Sequence, residues 1–326
     1  MNNLYPLKFT PILKDKIWGG NKLHSILGKS EAGNNCGESW EISAVEGNIS
    51  EVSEGFLAGN NLLELIEIYM GDLVGDKIFE KFGNTFPLLI KYIDANDDLS
   101  IQVHPGDEVA RERHNSFGKT EMWYIIESEK DSKLISGFNK DLDKEEYIET
   151  LKAGKLEDIM NFEGTSPGDV FFMPAGRIHA IGSGILLAEI QQNSDITYRI
   201  YDYNRKDEHG NERDLHTEEA MDVINFQGNN DTKTRYEKVL NQTLNLASCP
   251  FFTTNHMEFD KIVEKDFNFI DSFVIYMCIE GSFTILSPDN EGILLRKGET
   301  VLIPAEIKNV ILAPEQKSKV LEVYIS

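Results

Sequence analysis

The sequence contains the stretch Gly168-Asp169-Val170-Phe171-Phe172-Met173-Pro174-Ala175-Gly176-Arg177-Ile178-His179, and its first eight residues have a counterpart later in the chain. The counterpart is Gly298-Glu299-Thr300-Val301-Leu302-Ile303-Pro304-Ala305, which lies 130 residues further on. In both copies a short run rich in β-branched and aromatic residues lies between a glycine and a proline, which is typical of a strand between two turns. The pair predicts that one β unit occurs twice.

A second pair of similar segments lies upstream of the first. Tyr124-Ile125-Ile126-Glu127 resembles Met277-Cys278-Ile279-Glu280, at a distance of 153 residues. The two distances differ by 23 residues, which is about the length of a charged stretch near 143–162 that only the first copy contains. The apolar spacing in this stretch predicts helix, divided at Gly154. We infer that a helical insertion interrupts the first copy.

The pattern Gly-Asp-x₄-Pro-Ala-Gly-x₂-His resembles the second motif of the cupin jelly roll, in which the histidine reaches a metal inside the barrel. We therefore predict a mainly β double cupin, made of two jelly-roll β-barrels. Residues 1–226 would form a catalytic domain with N-terminal strands and the insertion, and residues 233–326 a second domain, after a polar linker at 227–232. Asn309 stands where His179 would be repeated, so we predict that the second domain is structural and metal-free.

Four side chains have the chemistry of a metal site. Gln102 and His104 are two residues apart on a predicted strand and therefore share one face. Glu121 begins another predicted strand, and His179 ends the cupin-like motif. Two imidazoles, a carboxylate and an amide oxygen suit zinc or another borderline divalent ion.

A lone histidine is more often a surface residue or a hydrogen-bonded core residue than a ligand, and glutamine is an unusual ligand. The repeat favours His179 and the strand spacing favours His104. No comparable context surrounds the remaining five histidines, which are His24, His114, His209, His216 and His256.

Composition excludes several classes of function. The 326 residues include 32 Lys and Arg against 55 Asp and Glu, which gives a formal net charge of −23. This charge disfavours nucleic-acid binding and docking on anionic membranes. The odd number of cysteines, three without a CxxC pair, disfavours a disulfide framework or a thiolate zinc finger. We read no secretory signal and no membrane span, and expect a cytoplasmic protein.

Positive side chains lie close to the candidate ligands in sequence. Lys119 is two residues before Glu121, Lys91 precedes the strand that leads to Gln102, and Arg199 lies among strand-forming residues. In so acidic a protein, cations beside a metal could bind a phosphate or a developing oxyanion. Ordinary surface charge is the alternative for each lysine.

Together these segments resemble the type I mannose-6-phosphate isomerases, in particular the short bacterial form. The resemblance is carried by segments in the order of the family: Ile17-Trp18-Gly19-Gly20, Gly37-Glu38-Ser39-Trp40-Glu41, Ser100-Ile101-Gln102-Val103-His104-Pro105, Gly118-Lys119-Thr120-Glu121, Pro174-Ala175-Gly176-Arg177-Ile178-His179, and Glu189 through Arg199. It implies one Zn²⁺ per chain, held by Gln102, His104, Glu121 and His179.

The resemblance also implies the reaction, in which mannose 6-phosphate and fructose 6-phosphate interconvert through a cis-enediol. It places Arg199 in the active site and makes Asp195, Lys119 and Lys91 plausible site residues. Because a guanidinium stays charged, Arg199 would stabilise the enediolate or hold the substrate. Asp195, Lys119 or a metal-bound water would transfer the proton, and Lys91 or Lys119 would bind phosphate.

Other hypotheses remain open at this point. Trp18, Trp40 and Tyr124 would form a wall against the sugar, or only pack in the core. The chain would be a monomer or a homodimer. A cupin that binds sugar without turnover and a metal-dependent cupin dioxygenase are the alternative functions, although a glutamine ligand fits the dioxygenase poorly.

Overall fold

The computed structural model describes residues 4–206, 209–228, 232–288 and 290–326. Strands dominate it, because short apolar runs between Gly, Pro, Asn and Asp favour strands, and the central strands β5 and β12 are buried along their whole length. The strands before residue 202 are β1 (Ile12–Gly20), β2 (Cys36–Ile42), β3 (Ala44–Val45), β4 (Asn48–Ile49), β5 (Leu88–Ala95), β6 (Ile101–Val103), β7 (Glu121–Ser128), β8 (Lys133–Phe138), β9 (Met160–Gly164), β10 (Val170–Met173), β11 (His179–Ala180), β12 (Ile185–Gln192) and β13 (Tyr198–Tyr201). Those after residue 241 are β14 (Gln242–Ser248), β15 (Thr253–Phe259), β16 (Val263–Asp266), β17 (Val274–Glu280), β18 (Ser282–Ser287), β19 (Asn290–Arg296), β20 (Thr300–Ile303), β21 (Asn309–Pro314) and β22 (Ser318–Tyr324).

The helices are short and lie mainly between the strands of the first half. They are α1 (Lys22–Ser25), α2 (Leu62–Val74), α3 (Asp76–Phe82), α4 (Asp107–His114), α5 (Lys144–Lys152) and α6 (Thr217–Met221), with a 3₁₀ turn at Leu156–Ile159. In the part of the chain that the structure describes, none of them is long and apolar enough to cross a membrane.

Four large sheets form two units whose strand orders correspond, apart from the additional edge strands β1 and β13 of the first unit. In the first unit, the sheet β1-β2-β5-β12-β7-β10 faces the sheet β13-β6-β11-β8-β9. In the second unit, the sheet β14-β15-β22-β17-β20 faces the sheet β16-β21-β18-β19. This confirms the predicted mainly β, duplicated cupin-like architecture. Within the described residues, however, the facing sheets are not hydrogen-bonded into closed barrels, so each unit is a pair of packed sheets.

The two units share one hydrophobic core. Because side chains alternate across a strand, β5 and β7 turn Tyr92 and Tyr124 away from the interior of the first unit. These side chains belong to one apolar cluster with Met277, Leu321 and Val323 of the second unit. The six-stranded sheet of the first unit therefore packs against the five-stranded sheet of the second unit. The opposite face of the six-stranded sheet points into the interior of the first unit, where a site can form.

The predicted insertion is helical over a shorter range than expected. The helix α5 and the following 3₁₀ turn end at residue 159, and Gly154 divides them in the left-handed region, with φ +68°. Residues 160–162, predicted as helix, begin strand β9, because they pair with β8 in the smaller sheet. Of the predicted linker at 227–232, residues 229–231 lie outside the described residues.

Candidate active site

The four candidate metal ligands lie together inside the first unit. Gln102 in β6 and His179 in β11 are opposite each other in neighbouring strands. Glu121 begins β7 in the facing sheet, and His104 follows β6. One donor atom each from His104, Glu121 and His179 lie within 4.8 Å of one another. The Gln102 amide nitrogen is 3.4 Å from His179 Nε2, and turning the amide over would present its oxygen instead.

Backbone carbonyls fix the protonation of both imidazoles. His104 Nδ1–H donates to the Ile196 carbonyl and His179 Nδ1–H to the Arg177 carbonyl, each at 2.9 Å. A neutral ring that donates from Nδ1 has its lone pair on Nε2. The two Nε2 atoms are 3.1 Å apart and lie 3.6 and 3.3 Å from the oxygens of Glu121. Three electron pairs therefore converge on one point, which is the arrangement that a cation requires.

Burial keeps the two imidazoles of this cluster neutral. His104, Glu121 and His179 are each 1 % exposed. Burial lowers the pKa of His104 well below its usual range and that of His179 to about 4, so both rings stay in the form that binds metal. Burial also raises the pKa of Glu121, which a cation would reverse. Among the described residues, neither Glu121 oxygen accepts a hydrogen bond, although Lys119 Nζ is 3.3 Å from one of them. The donor set therefore fits a divalent ion.

A cavity of about 440 Å³ opens beside these ligands. Its wall contains six cationic side chains and three carboxylates, although the whole chain carries a charge of −23. The cations are Lys14, Lys16, Lys91, Lys119, Arg199 and Arg213, and the carboxylates are Glu38, Glu189 and Asp195. An acidic protein needs such a local excess of positive charge to bind an anionic substrate.

Lys91 is held as part of a buried ion pair. Its ammonium lies 3.0 Å from Glu189, whose other oxygen accepts from Trp123 Nε1 at 2.8 Å. Burial works to lower the pKa of Lys91, but Glu189 and Glu38 outweigh it and raise that pKa. Lys91 therefore stays a cation whose charge is already matched.

Glu38 forms a similar arrangement closer to the mouth of the cavity. It accepts from Trp40 Nε1 at 2.7 Å and lies 3.3 Å from Lys16 Nζ. Burial acts to raise the pKa of Glu38, but Lys91 and Lys16 dominate and lower it to about 2. Glu38 is therefore a permanent anion near neutral pH.

Arg199 lies in β13 directly opposite Gln102, so both side chains line the cavity. Its Nε donates to Ser100 Oγ at 3.3 Å and its Nη1 to the Asp214 carbonyl at 2.9 Å. Asp195 is exposed at the cavity wall, between β12 and β13. The predicted Arg199, Asp195, Lys119 and Lys91 thus all reach one cavity.

The three aromatic residues predicted to face the sugar lie on opposite faces of the six-stranded sheet. Trp18 and Trp40 line the cavity, and Trp18 also packs in the apolar cluster of the first unit. Tyr124 faces away, into the core shared with the second unit, where its ring stacks on His256. A role for Tyr124 in a sugar-facing wall is therefore wrong, because side chains of β7 alternate between the faces.

Other cavity residues received no role from the sequence alone. Glu38 and Glu189 lie within the family-like motifs, and Arg213 lies outside them. Strand alternation could have placed Glu38 beside Trp40. The pairing of Glu189 with Lys91 depends on the register of strands 98 residues apart, which no local signal gives.

Comparison with known proteins agrees with this geometry. Residues 6–130 match the model of the phosphomannose isomerase type I catalytic domain, and residues 242–319 match that of the mannose-6-phosphate isomerase cupin domain. The chain is 36 % identical to the mannose-6-phosphate isomerase ManA of Bacillus subtilis, over 92 % of this chain and 93 % of that protein. It is also 36 % identical to the mannose-6-phosphate isomerase of Streptococcus mutans, over 93 % and 94 %.

Solved structures give the same result. The crystal structure of the mannose 6-phosphate isomerase from Bacillus subtilis superposes with a TM-score of 0.87 at 32 % identity, covering 99 % of this chain and 100 % of that one. The apo form of the enzyme from Salmonella typhimurium, at 17 % identity and a TM-score of 0.77, shares the fold. The chain therefore belongs to the type I mannose-6-phosphate isomerases.

Proposed function

We propose that this chain interconverts D-mannose 6-phosphate and D-fructose 6-phosphate through a cis-enediol, with one Zn²⁺ held by Gln102, His104, Glu121 and His179. The observation that carries the proposal is the convergence of two imidazole lone pairs and a buried carboxylate beside a cationic cavity. Zinc is favoured because two imidazoles and a carboxylate form a common catalytic set for this ion. When bound, the ion would act as a Lewis acid that eases removal of the proton next to the substrate carbonyl.

The cations at the wall of the cavity would bind the phosphate. Lys91 contributes its positive charge to the cavity, and one of its three N–H donors is directed to Glu189. Lys119 lies against Glu121, on the side of the metal ligands. Arg213 is better placed to hold a phosphate, because buried Asp202 accepts from its Nε at 2.7 Å and fixes its guanidinium at the wall.

Arg199 would stabilise the negative charge that develops on the enediolate. A guanidinium fixed at two of its nitrogens is already oriented before the charge appears. The proton between C1 and C2 would be carried by Asp195 or Lys119, since Glu38 and Glu189 are engaged by tryptophans and lysines. Asp195→Asn and Lys119→Met distinguish the two. The base is the residue whose loss abolishes exchange of the substrate proton with solvent while substrate still binds.

The first experiment measures fructose 6-phosphate formation from mannose 6-phosphate by the purified protein. It is repeated after chelation and after return of zinc, with metal content measured at each step. We expect one zinc per chain, loss of turnover with the metal, and recovery with zinc. Zinc-loaded protein without turnover would refute the isomerase function and favour a sugar-binding cupin, whereas bound iron with oxygen uptake would favour a dioxygenase.

A further inference from the structure

Arg199 lies in a strand at the edge of a sheet. Among the residues that the structure describes, β6 is the single strand that pairs with β13. The backbone groups of an edge strand that face outward need partners from elsewhere. At Arg199 both partners come from one residue, His216.

His216 forms hydrogen bonds with both backbone groups of Arg199. The His216 N–H donates to the Arg199 carbonyl at 2.7 Å, and the Arg199 N–H donates to His216 Nδ1 at 3.3 Å. Two residues before His216, the Asp214 carbonyl accepts from the Arg199 guanidinium. One short segment thus holds Arg199 at its backbone and at its side chain.

The segment is itself anchored to the unit. His216 caps α6, whose Ala220 N–H donates to the His216 carbonyl at 2.9 Å, and the buried Ala220 side chain packs in the apolar cluster beneath β6 and β13. The His216 ring also contacts Tyr198, with centroids 6.3 Å apart. A movement of Arg199 along the edge would break these contacts together.

We propose that His216 is a positioning residue for Arg199, acting through Nδ1 and its own backbone N–H. This inference rests on the proposed role of Arg199 in isomerisation. Because Nδ1 accepts a hydrogen bond, the neutral ring carries its proton on Nε2, and the ring also lines the cavity. A direct contact from Nε2 to the substrate is the rival explanation, and the experiment has to separate the two.

Two substitutions distinguish the roles of the two ring nitrogens of His216. In His216→Asn the amide oxygen replaces the acceptor Nδ1, whereas in His216→Gln the amide nitrogen reaches the place of Nε2. For His216→Ala we expect kcat to fall about 10- to 100-fold, as on losing an orienting contact to a catalytic group, with KM and zinc content unchanged. His216→Asn should recover to within a few fold of wild type, and His216→Gln should resemble His216→Ala. The exposed His24→Ala serves as the control for loss of a histidine.

Rescue by His216→Gln but not by His216→Asn would overturn the proposal in favour of direct contact, and wild-type rates in all three variants would also refute it. Hydrogen exchange at the Arg199 amide supplies a readout that does not depend on turnover. Exchange should accelerate in His216→Ala and His216→Gln but not in His216→Asn. If the wild-type protein does not isomerise the sugar, the proposed function fails, and this exchange pattern still decides whether His216 holds Arg199.

Discussion

The two units place a buried carboxylate at the same point of the fold. Among the described residues, only the first unit places a cluster of potential metal ligands close to it. In the first unit Trp123 pairs with Glu189, and in the second Tyr276 pairs with Glu322 at the corresponding register. Glu322 accepts from Tyr276 Oη at 2.7 Å and lies 2.6 Å from Lys265 Nζ. A buried glutamate with an aromatic donor therefore recurs in both units. The lysines are not equivalent, because Lys91 pairs with its glutamate from β5, whereas Lys265 comes from β16 in the facing sheet. Asn255 of β15 occupies the place of Lys91.

The ligand positions differ between the units. Met173 pairs with Glu121 as Ile303 pairs with Val274, so Val274 occupies the place of Glu121. By the offset of 130 residues between the repeated motifs, Asn309 takes the place of His179, and it is exposed. The interior of the second unit is otherwise an apolar cluster. The buried glutamate and its aromatic donor therefore belong to the shared architecture, whereas the candidate metal ligands at the strand ends distinguish the first unit.

The largest expected effect comes from separating the units. Deletion of residues 233–326 would expose the apolar face that β5, β7 and β12 bury against the second unit. We expect most of the truncated protein to be insoluble, since large exposed apolar faces drive association. Soluble yield and sedimentation, compared with the full chain, measure this. A soluble truncate with full activity would show that the second unit is dispensable.

The next test compares equivalent positions at the strand ends. His179→Ala should abolish stoichiometric zinc and reduce turnover about 10³-fold or more, because several kcal/mol of charge stabilisation would be lost. Asn309→Ala, at the corresponding place in the second unit, should leave zinc content and turnover unchanged and alter the free energy of unfolding by less than about 0.5 kcal/mol. Metal analysis and kinetics decide it. Activity retained by metal-free His179→Ala would refute the zinc mechanism.

The third test compares the two carboxylates. Glu189→Gln leaves the Lys91 ammonium buried without its anion, so we expect a loss of stability of about 3–5 kcal/mol and a fall in turnover. Glu322→Gln should also destabilise the protein, but less, because Lys265 retains some exposure, and it should leave turnover unchanged. Urea unfolding and initial rates, measured on the same preparations, separate the two effects. An equal loss of activity in both variants would contradict the division between architecture and chemistry.

These contrasts also show what the sequence could and could not predict. The distances of 130 and 153 residues, read from short motifs, are those by which the paired residues of β10 and β7 correspond to those of β20 and β17. Local spacing was enough to place the side chains of Gln102 and His104 on one face, because strand alternation is a local rule. It was not enough for Glu189 or Glu322, since their partners come from strands far away in the sequence. His216 lies in no motif, and its proposed role depends on the position of β13 at the edge of its sheet, which exists only once the sheet is assembled.

The smallest expected effect concerns the core between the units. His256 in β15 is 1 % exposed, stacks on Tyr124, and has no hydrogen-bond partner for either ring nitrogen within the described residues. Burial lowers its pKa from 6.5 to about 4; nearby Glu258 opposes this shift, whereas Lys238 and Lys319 add to it. The unfolded chain therefore binds a proton at a higher pH than the folded chain, and stability that is fully present above pH 6.5 is lost as the pH falls to about 4.

The loss attributable to His256 should reach about 3 kcal/mol at the acid end. His256→Phe keeps an aromatic ring in the stack but removes the titration. The difference between the unfolding free energies of wild type and His256→Phe should therefore change between pH 7 and 4, and His24→Ala, which removes an exposed histidine, should show much less change. A pH-independent difference for His256→Phe would mean that water reaches the ring, and that the shared core is less closed than its packing implies.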